Sequence, residues 1–191
     1  MSLKPIRCGL FPTTFFRSLV LFSLLAVLAL PLYTIFYLSP SFVDYITALK
    51  EKQAVTVAVH MESKILSAAQ QELTSVILTD DVLKKIRGTS RDFNLMLVRI
   101  LLPTGEILFS TNNDEIGTTI NFARVAPMLS KGLSYANHIE IGELDLEGAV
   151  MTADTVETYV PIMRDNRLVG GFEIYYDITE DREKLQALLQ T

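Results

Sequence analysis

Cysteine is nearly absent from this chain. Its one thiol, Cys8, lies ahead of the long apolar run, so the rest of the chain can form no disulfide, offers no thiolate nucleophile and builds no cysteine-based metal or haem site. Cys8 stands near enough to the apolar run for lipid attachment, but an unmodified thiol is the simpler reading. Histidine is almost as scarce, with only His60 and His138, far apart in sequence. There is no His-Glu-x-x-His, no Gly-x-Ser-x-Gly and no glycine-rich phosphate loop, so no catalytic frame is visible. The chain reads as non-enzymatic, with no catalytic residue and no cofactor expected. Basic charge is short as well. The residues after Val43 hold all 22 acids but 14 of the 17 bases, a balance of −8 that opposes binding to nucleic-acid phosphates.

What the chain does have is one long uncharged stretch. Between Arg17 and Asp44 no residue is charged, and SLVLFSLLAVLALPLYTIFYL within it is long enough to cross a bilayer. A spanning helix needs about 20 apolar residues at about 1.5 Å each. Lys4, Arg7 and Arg17 precede the stretch without any acid, whereas Lys50 and Lys52 follow it beside Asp44 and Glu51. That balance predicts a cytoplasmic N-terminus over residues 1–17, a single inner-membrane span over 18–40, and an extracytoplasmic, periplasmic domain over 41–191. A cleaved signal peptide would have a shorter apolar core ending in a small-x-small site. Val27-Leu28-Ala29 is the best such site, but the apolar run continues past it, which favours an uncleaved anchor.

Beyond Pro40 the chain runs from Ser41 to Arg87 without Gly or Pro. Phe42, Ile46, Leu49, Val57, Met61, Ile65, Ala68 and Val76 recur at helical spacing, which predicts a long helix, broken near Thr79-Asp80-Asp81. A short second helix would then run through Ile86 and stop at Gly88. From Arg91 the character becomes that of strands. Phe93 to Leu102 and Ile107 to Thr111 flank the turn Pro103-Thr104-Gly105-Glu106 and form a hairpin. A loop at Asn112 to Gly117 leads to a helix over Phe122 to Leu133. Three strands follow, at Tyr135 to Ile141, Val150 to Met163 and Leu168 to Tyr176. The final helix spans Asp177 to Leu189, with Leu185, Leu188 and Leu189 on its apolar face. Asp177 with Glu180 would form a variant capping box at its start. The fold class is therefore α+β: a span, a long helix, then a five-stranded antiparallel sheet with flanking helices.

In this order the residues resemble the extracytoplasmic PAS-like sensor domains called single Cache domains, found in bacterial histidine kinases, diguanylate cyclases and chemoreceptors. The resemblance rests on the span running into a long helix, on the hairpin Val98-Arg99-Ile100-Leu101-Leu102-Pro103-Thr104-Gly105-Glu106-Ile107-Leu108, and on two later runs. These are Tyr159-Val160-Pro161-Ile162 and Gly170-Gly171-Phe172-Glu173-Ile174-Tyr175-Tyr176-Asp177-Ile178-Thr179-Glu180. It implies a small-molecule ligand bound over the sheet, a homodimer, and a signal-output junction at Asp177, Ile178, Thr179 and Glu180. Charges from Glu180 to Lys184 preclude a second span there. The expectation is thus a receptor fragment or an orphan sensor acting through a separate output protein.

The resemblance also places the first strand beside the last, which sets Arg99 near Glu173. Each is a charge inside an apolar run, and burying it is costly unless it is paired. A structural ion pair is one reading, and anchorage of a charged ligand is the other. Tyr135, Tyr159 and Tyr175 suit a mostly apolar pocket with a few orienting hydroxyls, though ordinary strand tyrosines need no ligand. His138 joins the candidate ligand residues; with Glu140 it is too little for a metal site. Glu143, Asp145 and Glu147 lack the order of a calcium loop, so no metal is expected. His60 reads as a surface residue. The alternative function is a membrane-anchored structural or assembly scaffold. A pilin is excluded within that class, because Gly9 is not followed by a glutamate at the fifth position.

Overall fold

A computed structural model describes residues 13–65, 73 and 78–189. The chain divides into two compact units, Met1–Phe42 and Val43–Thr191. The first holds helix α1 (Thr13–Tyr33), followed by a π-helical turn at Thr34–Leu38 and the start of helix α2 (Ser39–Ile65). Helical structure from Thr14 is long and apolar enough to cross a membrane, and Phe22, Leu25 and Leu30 stand fully outward on it. The turn widens for a local reason. Pro40 has no N–H for the carbonyl of Phe36, and the N–H of Ser39 bonds instead to the carbonyl of Thr34, five residues back.

In the second unit, α2 buries Ile46, Ala54, Val57, Ala58, Met61 and Ile65, a stripe at helical spacing. Leu49, expected in that stripe, is half exposed. Ala68 and Val76 lie outside the described residues. Helix α3 (Asp80–Asp92) does not end at Gly88, which is an interior residue. It ends where Asn94 takes a left-handed φ of 49°. The N–H of Leu95 reaches back to the carbonyl of Ser90 and that of Asn94 to Arg91, a Schellman closure that moves the first strand's start to Leu97.

Strands β1 (Leu97–Leu101), β2 (Ile107–Ser110), β3 (Tyr135–Ile139), β4 (Thr155–Arg164) and β5 (Arg167–Asp177) form one antiparallel sheet in the order β2-β1-β5-β4-β3. The turn between β4 and β5 has Asp165 and Asn166 both left-handed, as a two-residue hairpin requires. The expected helix at Phe122 to Leu133 reduces to a 3-10 turn at Phe122–Arg124 and α4 (Ala126–Leu129). Pro127 sits in the first turn of α4, where no N–H is missed. The last helix, α5 (Thr179–Leu189), starts two residues later than expected, and Leu188 on it is exposed.

Strand alternation gives the sheet two unlike faces. One carries Val98, Ile100, Phe109, Val156, Val160, Phe172 and Ile174, all buried. Helices α2 and α3 cover it: Lys50 lies over the Tyr176 ring, Arg87 over the Phe109 ring, and Glu62 pairs with Arg164. The other face carries Arg99, Glu157, Tyr159, Glu173 and Tyr175 in its middle. Leu101, Ile107, Val125, Leu129 and Tyr159 form an apolar cluster at one end of it.

Candidate functional site

The antiparallel register of β4 and β5 sets Glu157 opposite Tyr175 and Tyr159 opposite Glu173. Two Glu-x-Tyr pairs thus interlock as a checkerboard on one face. Arg99 of β1 stands opposite Glu173, and its Nη1 lies 3.0 Å from Glu173 Oε1. The rest of the guanidinium is taken by Glu115, from the 3-10 turn Asn113–Glu115: Nε donates to Oε2 at 2.8 Å and Nη2 to Oε1 at 2.9 Å. Ser110 Oγ also donates to Glu115 Oε2, at 2.8 Å. From the loop before β4, Glu147 brings Oε2 within 3.5 Å of Arg99 Nη1. Glu157 and Glu173 are wholly buried, and Arg99, Tyr159 and Tyr175 nearly so.

A count of protons decides how this cluster is charged. Tyr159 Oη lies 2.7 Å from Glu147 Oε1, 2.8 Å from Glu157 Oε1 and 3.0 Å from Glu173 Oε1. Tyr175 Oη lies 2.7 Å from Glu173 Oε1, 2.9 Å from Glu157 Oε1 and 3.0 Å from Glu147 Oε2. Each phenol has one proton to donate, and an ionised carboxylate has none. Two protons cannot satisfy six short oxygen contacts. The arrangement therefore requires positive charge beyond that of Arg99, and protons on the carboxyls are the simplest source.

Electrostatics runs the same way. Burial, then the neighbouring charge of Glu173, pushes Glu147 up to about 7. Burial, then Glu147 and Glu173, pushes Glu157 up to about 8. Burial also raises Glu173, against the pull of Arg99. Burial and the surrounding carboxyls raise both phenols. Burial opposes ionisation of Glu115 too, but its hydrogen bonds from Arg99 and Ser110 win, and it is held below the ordinary carboxylate value.

The structure thus gathers Arg99, Tyr159, Glu173 and Tyr175 in one network. Tyr135 shares their face, opposite Tyr159, but packs in the apolar cluster around Leu101 and Leu129. His138 is not among them: it pairs across to Val156, so alternation turns it to the other face of β3. Burial, then the charge of Arg182, lowers its pKa. Glu140 lies past the end of β3 and pairs with Arg182. Glu115, Glu147 and Glu157 are members that sequence reasoning missed. Glu157 had a signal, an acid within the apolar run Val156 to Val160 that repeats the Glu-x-Tyr of Glu173. Glu115 and Glu147 sit in loops and had none.

At the junction with α5, Asp177 Oδ1 accepts the N–H of Thr179 at 2.8 Å. Glu180 does not complete a capping box; it pairs with Lys184 one turn on, on the surface. The carbonyl of Asp154 accepts the N–H of Ile178, the N–H of Asp154 donates to Thr179 Oγ1, and its carboxylate holds Arg182 at 2.7 Å. The start of α5 is thereby tied to the loop that leads into β4.

Solved structures similar to this chain include ligand-binding and sensor domains. The ligand-binding domain of the Campylobacter jejuni chemoreceptor Tlp3 in complex with 4-methylisoleucine matches with a TM-score of 0.54 and 15% identity, over 78% of this chain and 57% of that one. The sensory domain of the same chemoreceptor with isoleucine bound matches with a TM-score of 0.52 and 16% identity, over 93% of this chain and 67% of that one. The Escherichia coli DcuS sensor domain gives 0.47 and 10%, over 71% of this chain and 94% of that one. The chain thus spans between about half and two thirds of the Tlp3 domains. No protein-family model matches the chain, and no curated protein matches it by sequence. The fold is α+β and PAS/Cache-like, as in these domains.

Proposed function

We propose that this chain is a membrane-anchored, extracytoplasmic sensing module of bacterial signal transduction whose ligand acts at the polar face of the sheet. The observation that carries this reading is the buried network of Arg99, Tyr159, Glu173 and Tyr175, set under loops in a fold shared with ligand-binding domains. A stable core has no need of such a network, since well-packed apolar residues often serve stability equally well. The apolar run before Val43 anchors the module, and the basic residues ahead of that run set the domain outside. Tyr45, Leu49 and Val59 are exposed on α2 and form the contact of a homodimer. Residues Asp177 to Glu180 pass the state of the sheet to α5, and from there to a signalling partner. A ligand moves this equilibrium only through different affinity for its two states.

The test is thermal unfolding of the purified full chain in detergent with amino acids, organic acids and amines, and a spin label on α5 that reports its movement. One class of ligand should raise the melting temperature in a saturable way. That rise should be lost in Arg99→Met, and in Asp177→Ala binding should persist while the label stops responding. A ligand response untouched by Arg99→Met would place the site elsewhere.

A further inference from the structure

We propose that Glu147, Glu157 and Glu173, with the hydroxyls of Tyr159 and Tyr175, form a binding site for one calcium ion. This rests on the sensing reading and names the ligand class of its polar face.

Three observations carry it. One carboxylate oxygen from each of the three glutamates lies within 4.8 Å of the others, a spacing that Ca–O distances of about 2.3–2.6 Å can bridge. Glu157 Oε2 and Glu173 Oε2, both on wholly buried side chains, accept from no group among the described residues. Each belongs to a carboxyl whose Oε1 already meets both phenols. Finally, Glu115, Glu147 and Glu173 pair with one guanidinium, and Glu157 stands within 4.8 Å of Glu147 and Glu173 without pairing with it. If all ionise, three negative charges are uncompensated in a buried place, and a divalent ion reduces that to one.

The donors choose the ion. All are oxygen, with no sulfur, and His138 lies on the other face, so a hard cation is favoured over a transition metal. Tyr159, Tyr175, Glu157 and Glu173 around the centre are buried, and a bare ion needs less room there than an organic molecule. Magnesium keeps much of its water and suits a dry carboxylate cage poorly; calcium sheds water readily and tolerates irregular geometry. Groups facing the centre are Arg99 on β1, Ser110 on β2, Glu115 in the 3-10 turn, Asp145 and Glu147 in the loop before β4, Glu157 and Tyr159 on β4, and Glu173 and Tyr175 on β5.

Titration calorimetry of the full chain in detergent with CaCl2 at pH 8 tests this directly. We expect one saturable site per chain. Glu157→Gln, which mimics the protonated carboxyl and keeps the fold, should weaken binding at least tenfold, and MgCl2 should not compete at equal concentration. Absence of saturable binding at pH 8, equal binding by Glu157→Gln, or preference for magnesium would each overturn the assignment. The choice of calcium over magnesium by the unaltered chain needs no variant and so does not depend on a mutant folding. If calcium fails but an organic ligand still shifts α5 through Arg99, the cation site falls and the sensing reading stands. If calcium binds as described and α5 does not respond, the site stands and its role in sensing falls.

Discussion

The two faces of this sheet are built from the same strands by the same alternation, yet they do opposite things. Toward α2 and α3, β1 and β5 present Val98, Ile100, Phe172 and Ile174, every one buried and none polar. One residue out of phase, they present Arg99, Glu173 and Tyr175, also buried, and all needing partners. The first face holds the domain together by removing apolar surface from water, at about 25 cal/mol per Å². The second gives up that gain to hold a network whose net charge depends on what is bound to it. A single register fixes both, since a slip of one residue would exchange the faces. The helix-covered face therefore acts as the mould that keeps the polar face in shape.

Breaking the polar face should have the largest effect. Arg99→Met removes the one cation shared by Glu115, Glu147 and Glu173 and leaves buried carboxyls uncompensated, a loss of about 3–5 kcal/mol in urea unfolding at pH 8. The loss should shrink at pH 5, where protons can take the place of the guanidinium. On the apolar face, Ile174→Ala opens a cavity in a site without exposure and should cost about 2–4 kcal/mol. That loss should be the same at pH 5 and pH 8. Equal pH dependence in the two variants would end the contrast between the faces.

A smaller effect sharpens the same contrast. Glu147 and Glu157 titrate near 7 and 8 in the folded chain, against an ordinary value of 4.5. Between about pH 4.5 and 8 the folded state thus binds more protons than the unfolded state, so stability must fall as pH rises through that window. Each such proton contributes a slope of at most about 1.4 kcal/mol per pH unit. Glu115, held low, works in the opposite sense, but only below its ordinary value of 4.5. Glu157→Gln should flatten the decline and make the variant the more stable protein at pH 8. A melting temperature that rises from pH 5 to pH 8 in the unaltered chain would mean the carboxyls are ionised and otherwise compensated.

How much of this could be read beforehand follows from the range of the interactions involved. Helical and strand periodicities are local, and the order of elements from α2 to α5 was legible from them. So was the meeting of Arg99 with Glu173, because charges within two apolar runs demand partners and the resemblance made those strands neighbours. The end of α3 lies past the expected stop at Gly88 because the closure is carried by Asn94 and two backbone hydrogen bonds. The helix around Pro127 was overextended because apolar content there reflects packing on Leu101 and Ile107, not helical periodicity. His138 was misplaced by one phase of alternation. Glu115 and Glu147 lie in loops, 16 and 48 residues along from Arg99. Nothing within either segment signals that it folds over the sheet.

The smallest effect concerns the link between the polar face and α5. Asp177 ends β5 on the same side as Tyr175 and Glu173, and its carboxylate caps the N–H of Thr179. Asp177→Ala removes that cap and should cost about 1 kcal/mol, with little change at the cluster, which begins two residues back along the strand at Tyr175. The neighbouring ties through Asp154 to Ile178, Thr179 and Arg182 remain, so α5 should stay helical but couple more weakly to the sheet. Amide exchange distinguishes the outcomes: protection should fall in the first turn of α5 while β5 keeps its own. If protection is lost along β5 as well, Asp177 belongs to the frame of the sheet and not to a separable output element.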